Sequence, residues 1–367
     1  MKKTTIFSLA LLLSLPLAAQ KRAFTIEDIY RLQYASGPTV SATGELAYGT
    51  SRSDLKAQKS YSNIVVNGKT ITTDNKSFSP FWSADGHTLY YVSTASGSSQ
   101  LYAWRDGKAT QLTDYALGID GATVSPDGNL IAFAAEVYPE IGGADGKANK
   151  AAIERKAKNP IQAHLADHLL YRHWTEYSDG KYWHIIVYNL KDKTYTDVTP
   201  GRFHSPVFSP NGPSGFVFSP DSKELCYLSN HDEHPEATTN CDLWIVPVTG
   251  GEAKNITAEN KAWDGSPQYS PDGRYIAYRF QRTPGYESDR FILGLYDRRT
   301  GQKRVLTEKF DNWVDDYKWT PDSKAIYFLG EERGYEPLYR VDLKNDLITK
   351  VIANRAIGSF DFDGKGG

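Results

Sequence analysis

A four-residue turn followed by an apolar run occurs six times along the chain, and this repeat constrains the fold most strongly. Each unit begins with Ser or Thr and ends with Gly or Ser. The fourth residues lie 42, 42, 94, 51 and 50 residues apart: Gly44, Gly86, Gly128, Ser222, Gly273 and Ser323. Pro fixes φ, Asp binds nearby amides and Gly accepts a positive φ, so each unit predicts a tight turn between strands. A period in the forties predicts β-propeller blades.

An outer pair of strands with a polar turn follows each of these units. The six hairpins are predicted at 63–74, 101–114, 184–199, 243–259, 291–308 and 338–353. One hairpin per turn unit makes the 94-residue step a single blade, the third, with a helical insertion at about 136–182. The strand after each turn is apolar on both faces, as expected where neighbouring blades cover it. We therefore interpret the turns as structural.

The two ends of the chain differ from the repeat. Residues 1–19 combine basic residues, an apolar run and small residues, which predicts a signal peptide and a periplasmic or secreted protein; an uncleaved anchor is the alternative. Residues 20–37 predict a helical leader with a capping box at Thr25–Asp28. The all-β, TolB-like propeller is assigned to 38–367. Residues 359–364 align with 318–323, as if a seventh blade began there, so we expect the chain to be part of a longer protein.

Composition narrows the possible partners and cofactors. The net charge of −2 offers no basic field to nucleic acid, and we expect no membrane contact after signal cleavage and no cofactor. If a loop near His234–Pro235 joins two strands, Cys226 opposes a residue near Ile245 and not Cys241. This favours two buried, unpaired thiols, although an exported protein permits a disulfide.

Two motifs outside the repeat indicate a family. LLYRHWTEY (169–177) and RTPGYESDR (282–290), together with the TolB-like blades, resemble the N-terminal propeller of secreted prolyl-oligopeptidase-family serine peptidases, the bacterial dipeptidyl-peptidases above all. The resemblance implies that short peptides bind between the propeller, which restricts access, and a C-terminal α/β-hydrolase domain with a Ser-Asp-His triad. The chain contains no G-x-S-x-G motif. The triad is therefore expected downstream, and this chain alone is expected to be inactive.

The insertion contains the candidate substrate contacts. Residues 147–177 are polar at first and then apolar at Leu165, Leu169, Leu170 and Trp174, which predicts an amphipathic helix packed on the propeller. A dipeptide-releasing enzyme must hold a free α-ammonium, for which a carboxylate is the simplest partner. The candidates are Glu176 for the amine, Arg172 for a substrate carbonyl, and the adjacent His173 and Trp174. The alternative is that these residues only dock the insertion.

A second acidic candidate lies in the other motif. Glu287 is the runner-up amine anchor, whereas Asp289 and Arg290 are expected to pair with each other. His164 and His168 would lie one helical turn apart, but a solvated face is favoured over a metal site because no catalytic Glu follows the first His. The segment His231–His234 predicts an exposed loop.

Two other function classes stay open at the level of the sequence. A stand-alone TolB-like propeller could act as a periplasmic binding or scaffold module, although only a short helix precedes the blades. A propeller glycosidase would need arginines and paired carboxylates at the hub, and no S-x-D-x-G-x-T-W motif occurs.

Overall fold

The chain folds into successive four-stranded antiparallel sheets, as the repeat predicts. The computed structural model describes residues 22–207 and 215–362, and these residues contain six such sheets. The predicted signal peptide and the turn residues Asp363 and Gly364 of the expected seventh blade lie outside the described residues. The all-β propeller class is confirmed.

The first three blades run from the N-terminus to the end of the insertion-bearing sheet. Blade 1 consists of β1 (Gln33–Val40), β2 (Leu46–Asp54), β3 (Lys59–Val66) and β4 (Lys69–Thr70). Blade 2 consists of β5 (Ser77–Trp82), β6 (Leu89–Ser93), β7 (Gln100–Arg105) and β8 (Lys108–Gln111). Blade 3 begins with β9 (Asp120–Val124) and β10 (Leu130–Val137), continues into helix α1 (Gly146–Ala157) and the ribbon strands β11 (Arg172–His173) and β12 (Glu176–Tyr177), and ends with β13 (Tyr182–Asn189) and β14 (Thr194–Asp197).

The last three blades follow without a long insertion. Blade 4 consists of β15 (Phe216–Phe218), β16 (Glu224–Ser229), β17 (Asp242–Pro247) and β18 (Lys254–Asn255). Blade 5 consists of β19 (Asp264–Tyr269), β20 (Tyr275–Phe280), β21 (Ile292–Asp297) and β22 (Lys303–Val305). Blade 6 consists of β23 (Val314–Trp319), β24 (Ala325–Gly330), β25 (Leu338–Asp342) and β26 (Ile348–Ile352). Two short 3-10 helices cover Ile26–Arg31 and Pro235–Ala237, and the first carries the predicted capping box.

Each predicted turn joins the first and second strands of a blade. In all six, the amide of the fourth residue donates to the carbonyl of the first at 2.8–2.9 Å. The fourth residue has a positive φ throughout, including 61° at Ser222 and 59° at Ser323. These two hydroxyls accept the amides of Asp127 and Asp272, at 3.2 and 3.0 Å, from the turns of the preceding blades. The turns therefore also join neighbouring blades.

The hydrophobic core is divided into five clusters, and each fills the space between two consecutive blades. Phe133 of blade 3, for example, packs in one cluster with Leu101 of blade 2, while Ala132 packs in the next with Leu225 of blade 4. Among the described residues, no cluster joins blade 6 to blade 1. The second strands of blades 2 to 6 are mostly buried, as predicted. The prediction is wrong for β2 of blade 1, in which only Ala47 and Gly49 are buried.

A buried threonine closes the outer hairpin of the first five blades. Its hydroxyl accepts the amide of an apolar residue of the third strand at 2.8–2.9 Å. The five threonines are Thr72, Thr113, Thr199, Thr257 and Thr307. Each follows Ile, Leu or Val, so the repeated dipeptide is visible in the sequence once the hairpins are aligned.

The cysteines lie as the strand register predicts. Cys226 of β16 is paired with Ile245 of β17, and both Cys226 and Cys241 are buried and unbonded. Burial raises the pKa of both thiols, so neither is a thiolate near neutral pH.

Candidate functional site

The blade topology places the connections on two opposite faces. In each blade the turn unit and the outer hairpin turn lie at the same end of the strands. The link between the second and third strands lies at the opposite end. We call these the turn face and the insertion face. The insertion of blade 3 and the segment 281–291 of blade 5, which hold the candidate residues, therefore share the insertion face.

The insertion is fixed where it leaves blade 3. The Gly143 amide donates to Asp197 Oδ2 at 2.7 Å, and the Gly143 carbonyl accepts the Tyr115 hydroxyl at 2.6 Å. The same Asp197 oxygen lies 2.7 Å from Nδ1 of the fully buried His184. A Cβ at Gly143 would lie 2.0 Å from Ile186 Cδ1, so a larger residue there would displace the Ile186 side chain. The base of the insertion is therefore rigidly held.

The expected amphipathic helix over 147–177 is wrong in its second half. Helix α1 ends at Ala157, and residues 158–171 contain no regular element. The apolar residues of the predicted stripe are exposed: Leu165 by 93%, Leu169 by 60%, Leu170 by 58% and Trp174 by 77%. Pro160 accounts for the difference, because it disfavours helical backbone at Asn159. These apolar side chains are therefore exposed and not buried in the propeller core.

The two histidines of this segment contact carboxylates instead of sharing a helical face. His164 Nδ1 lies 2.8 Å from Asp179 Oδ1, and His168 Nδ1 lies 2.6 Å from Asp167 Oδ1. Within residues 22–207 and 215–362, no three His, Cys, Asp or Glu side chains are arranged to hold a metal ion.

The YRHWTEY motif forms a two-stranded ribbon. Arg172 is paired with Tyr177, and Glu176 lies opposite His173. Because neighbouring residues of a strand point to opposite faces, Arg172 and Tyr177 lie on one face and Glu176 lies on the other. The predicted contacts Arg172 and Glu176 are thus adjacent in the ribbon but not on the same face.

The Tyr177 face packs on the preceding segment. The His164 and Tyr177 rings stack with 3.7 Å between centroids, and Asp179 also binds Lys156 of α1 at 3.1 Å. Arg172 Nη1 donates to the carbonyl of Trp174, whose φ is 45°. Arg172 therefore also holds the tip of the ribbon.

The carboxylate of Glu176 is available to a ligand. Glu176 is exposed, and in the part of the chain that the structure describes its side chain has no ion-pair partner. The face that carries Glu176 is the one that the His164 stack leaves uncovered. The side chain of His173, a further predicted contact, lies outside the described atoms.

The segment 281–291 is fixed by Asp289, but not by the expected pair with the Arg290 side chain. Burial alone would raise the pKa of Asp289, but the amides of Arg282, Thr283 and Arg290 donate to its carboxylate and lower the pKa overall. The Arg290 guanidinium instead donates to the carbonyl of Phe310.

Glu287 is exposed on this fixed segment. Its carbonyl accepts the side-chain amide of the buried Gln281 at 2.9 Å, and the nearby Gly285 amide donates to Thr239 Oγ1 of blade 4 at 2.9 Å. The segments of blades 4 and 5 thus contact each other on the insertion face.

An aromatic stack on this face was not predicted. The His231 ring lies between Phe203, 3.9 Å away, and Trp244, 4.2 Å away, and burial lowers the pKa of His231. The exposed loop predicted at His231–His234 is therefore wrong for His231, which is half-buried. The three residues are far apart in the sequence, so no local pattern indicated the stack.

The comparisons with known proteins agree with this architecture. No family model matches the chain. The chain is 29% identical over 352 residues to dipeptidyl-peptidase 5 of Porphyromonas gingivalis, covering 89% of this chain and 49% of that protein. It is 26% identical over 394 residues to dipeptidyl-peptidase 5 of Arthroderma otae, covering 96% of this chain and 53% of that protein. The chain spans about half the length of these curated relatives.

Two solved structures share the fold at low sequence identity. Acylaminoacyl peptidase from Pyrococcus horikoshii matches with a TM-score of 0.66 at 15% identity, over 89% of this chain and 47% of that one. The β-propeller domain of the Trilobed protease from Pyrococcus furiosus matches with a TM-score of 0.57 at 14% identity, over 89% and 85%. The chain has a β-propeller fold, and it is similar to proteins named dipeptidyl-peptidase 5 over about half of their length.

The described residues contain no α/β-hydrolase domain. Catalytic residues are therefore not assigned here. None of the described helices is long and apolar enough to span a membrane.

Proposed function

We propose that this propeller is the accessory, substrate-gating part of an exported serine peptidase that releases dipeptides from the N-termini of peptides. The relation to dipeptidyl-peptidases 5 over 89% of the chain carries the proposal. The partners are a C-terminal α/β-hydrolase domain of the same protein and short peptide substrates. The predicted signal peptide supports a periplasmic or secreted location.

Glu176 is the group that binds the substrate's α-ammonium in this proposal. The ribbon carries Glu176 on its face opposite Tyr177, and the insertion that contains the ribbon is anchored to blade 3 where the Gly143 amide donates to Asp197. An ammonium between a carboxylate and a partly desolvated surface forms charge-assisted hydrogen bonds, which are stronger than neutral ones. A free N-terminus would therefore be selected over a blocked one.

Arg172 contributes in a different way. Its pairing with Tyr177 and its bond to the Trp174 carbonyl indicate that it orients the ribbon tip, from which a remaining N–H can reach a substrate carbonyl. Trp174, and His173 beside it, complete the proposed surface. Glu287 is the second candidate for the amine, on the neighbouring fixed segment.

The proposal is tested on the full-length protein with chromogenic dipeptidyl substrates. We expect hydrolysis when the N-terminus is free and little when it is acetylated, whereas this chain alone should hydrolyse neither. Absence of activity in the full-length protein, or equal hydrolysis of the acetylated substrate, would contradict the proposed function.

A further inference from the structure

A basic cleft opens between blades 4 and 5 on the turn face. It is a shallow, open cleft with a volume of about 430 Å³. Four cations line it, with one carboxylate and one tyrosine: Lys254, Arg274, Arg298, Arg299, Glu224 and Tyr296. The chain as a whole has a net charge of −2, so this concentration of positive charge is local.

One of the four cations is held in place by the protein. Arg298 Nη2 lies 2.7 Å from Glu224 Oε1, and the guanidinium lies over the Tyr269 ring at 5.0 Å. Tyr269 in turn donates its hydroxyl to Glu224 Oε1 at 2.9 Å. Arg298 and Glu224 therefore form a fixed wall of the cleft.

Among the residues that line the cleft, the four cations outnumber the single carboxylate. Arg274 forms an ion pair with Asp297 at 3.1 Å. Asp221, which lies near Arg298, forms an ion pair with Lys223 at 3.9 Å. Lys254 and Arg299 are exposed, and in the described ranges neither has an ion-pair partner. The nearby Asp272 carboxylate accepts the Ser270 hydroxyl and the Arg274 amide, so Lys254 and Arg299 are the two lining cations without an ion-pair partner.

We propose that this cleft binds a compact polyanion that carries phosphate groups. Arginine guanidinium groups bind phosphate oxygens in a bidentate manner and lysine adds a mobile point charge. A phosphate ester supplies up to two charges and three acceptor oxygens on one centre, which matches the two unpaired cations better than a single carboxylate does.

The cleft is independent of the proposed peptide site. Its residues come from the second, third and fourth strands of blade 4 and, in blade 5, from the first turn, the end of β21 and the β21–β22 turn, all near the turn face. The ribbon with Glu176 lies on the insertion face. Loss of anion binding and loss of peptidase activity are therefore separate outcomes.

The test is titration calorimetry of the full-length protein with tripolyphosphate at low ionic strength. We expect one equivalent to bind, with an affinity that falls as salt is added. Lys254→Ala with Arg299→Ala should weaken binding about tenfold or more, because charge-assisted hydrogen bonds are lost. Neither side chain has an ion-pair partner within the described part of the chain, so the variant should fold normally. A melting temperature equal to that of the wild type would confirm this.

Control variants and ligands make the test specific. Lys69→Ala with Lys108→Ala removes two exposed charges from blades 1 and 2 and should leave binding unchanged. Vesicles with and without phosphatidic acid show whether a lipid headgroup binds as free tripolyphosphate does, with the same loss in the cleft variant. No binding of either, equal binding of citrate, or unchanged affinity in the cleft variant would overturn the proposal.

Discussion

At the residue scale, Ser222 and Ser323 replace the glycine that the turn prefers. A serine with φ near 60° is strained, yet each hydroxyl accepts an amide from the neighbouring turn. Ser323→Ala keeps the strain and removes the acceptor, so we expect it to lower the free energy of unfolding by about 1–3 kcal/mol. Ser323→Gly relieves the strain and should cost less. Urea unfolding compares them; a larger loss in the glycine variant would contradict this explanation.

The buried Asp264 makes stability depend on pH. Asp264 is 1% exposed, and burial, helped by the charge of Asp242, raises its pKa to about 8, whereas an unfolded Asp titrates near pH 4. Folding therefore takes up a proton between about pH 4 and 8, and the stabilising contribution of the protonated Asp264 is lost as pH rises through that window.

Asp264→Asn isolates this effect, because Asp242 remains in both proteins. From pH 5 to pH 8, we expect the free energy of unfolding of the wild type to fall relative to the variant, by at most about 1.4 kcal/mol per pH unit. Urea unfolding at both values measures the difference. Parallel pH profiles would mean that Asp264 is ionised in the folded protein.

At the scale of the element, the threonines that close the outer hairpins are the most direct test of blade stability. Thr257→Val leaves the buried Leu243 amide without its acceptor, and we expect a loss of about 1–3 kcal/mol in the free energy of unfolding. Thr257→Ser keeps the hydroxyl acceptor and should retain most of the wild-type stability. Thr110→Val, on exposed β8, is the control and should change stability by less than about 0.5 kcal/mol. If Thr257→Val had the same melting temperature as the wild type, the Thr257 hydroxyl would not stabilise the hairpin.

The elements that sequence reasoning predicted are those set by local rules. The turns depend on Ser-Pro-Asp-Gly chemistry within four residues, and the opposition of Cys226 to Ile245 follows from counting along a hairpin. The insertion is different, because the His164–Tyr177 stack and the Asp179 ion pair join residues that no periodicity relates. Pro160 in the sequence indicates that α1 ends before it. The apolar spacing at 165–170 is typical of a helix, but no helix forms there.

At the scale of the whole molecule, blades 2 to 5 each pack between two neighbouring blades, and among the described residues blades 1 and 6 each pack on one. The five clusters between blades fix the two faces relative to each other, so the insertion face and the turn face can carry separate sites. The architecture could be predicted from the count of the repeats. The basic cleft could not, because Lys254 and Arg299 come together only when blade 4 packs on blade 5.

The steady-state kinetics of Glu176→Gln in the full-length protein test the central claim most directly. The substitution removes the charge that would hold the substrate's ammonium and keeps the shape, so KM for a free dipeptidyl substrate should rise about tenfold or more while kcat changes little. Glu140→Gln, an exposed carboxylate at the base of the insertion, is the matched control and should match the wild type. An unchanged KM for Glu176→Gln, or an equal rise in the control, would contradict the assignment of Glu176.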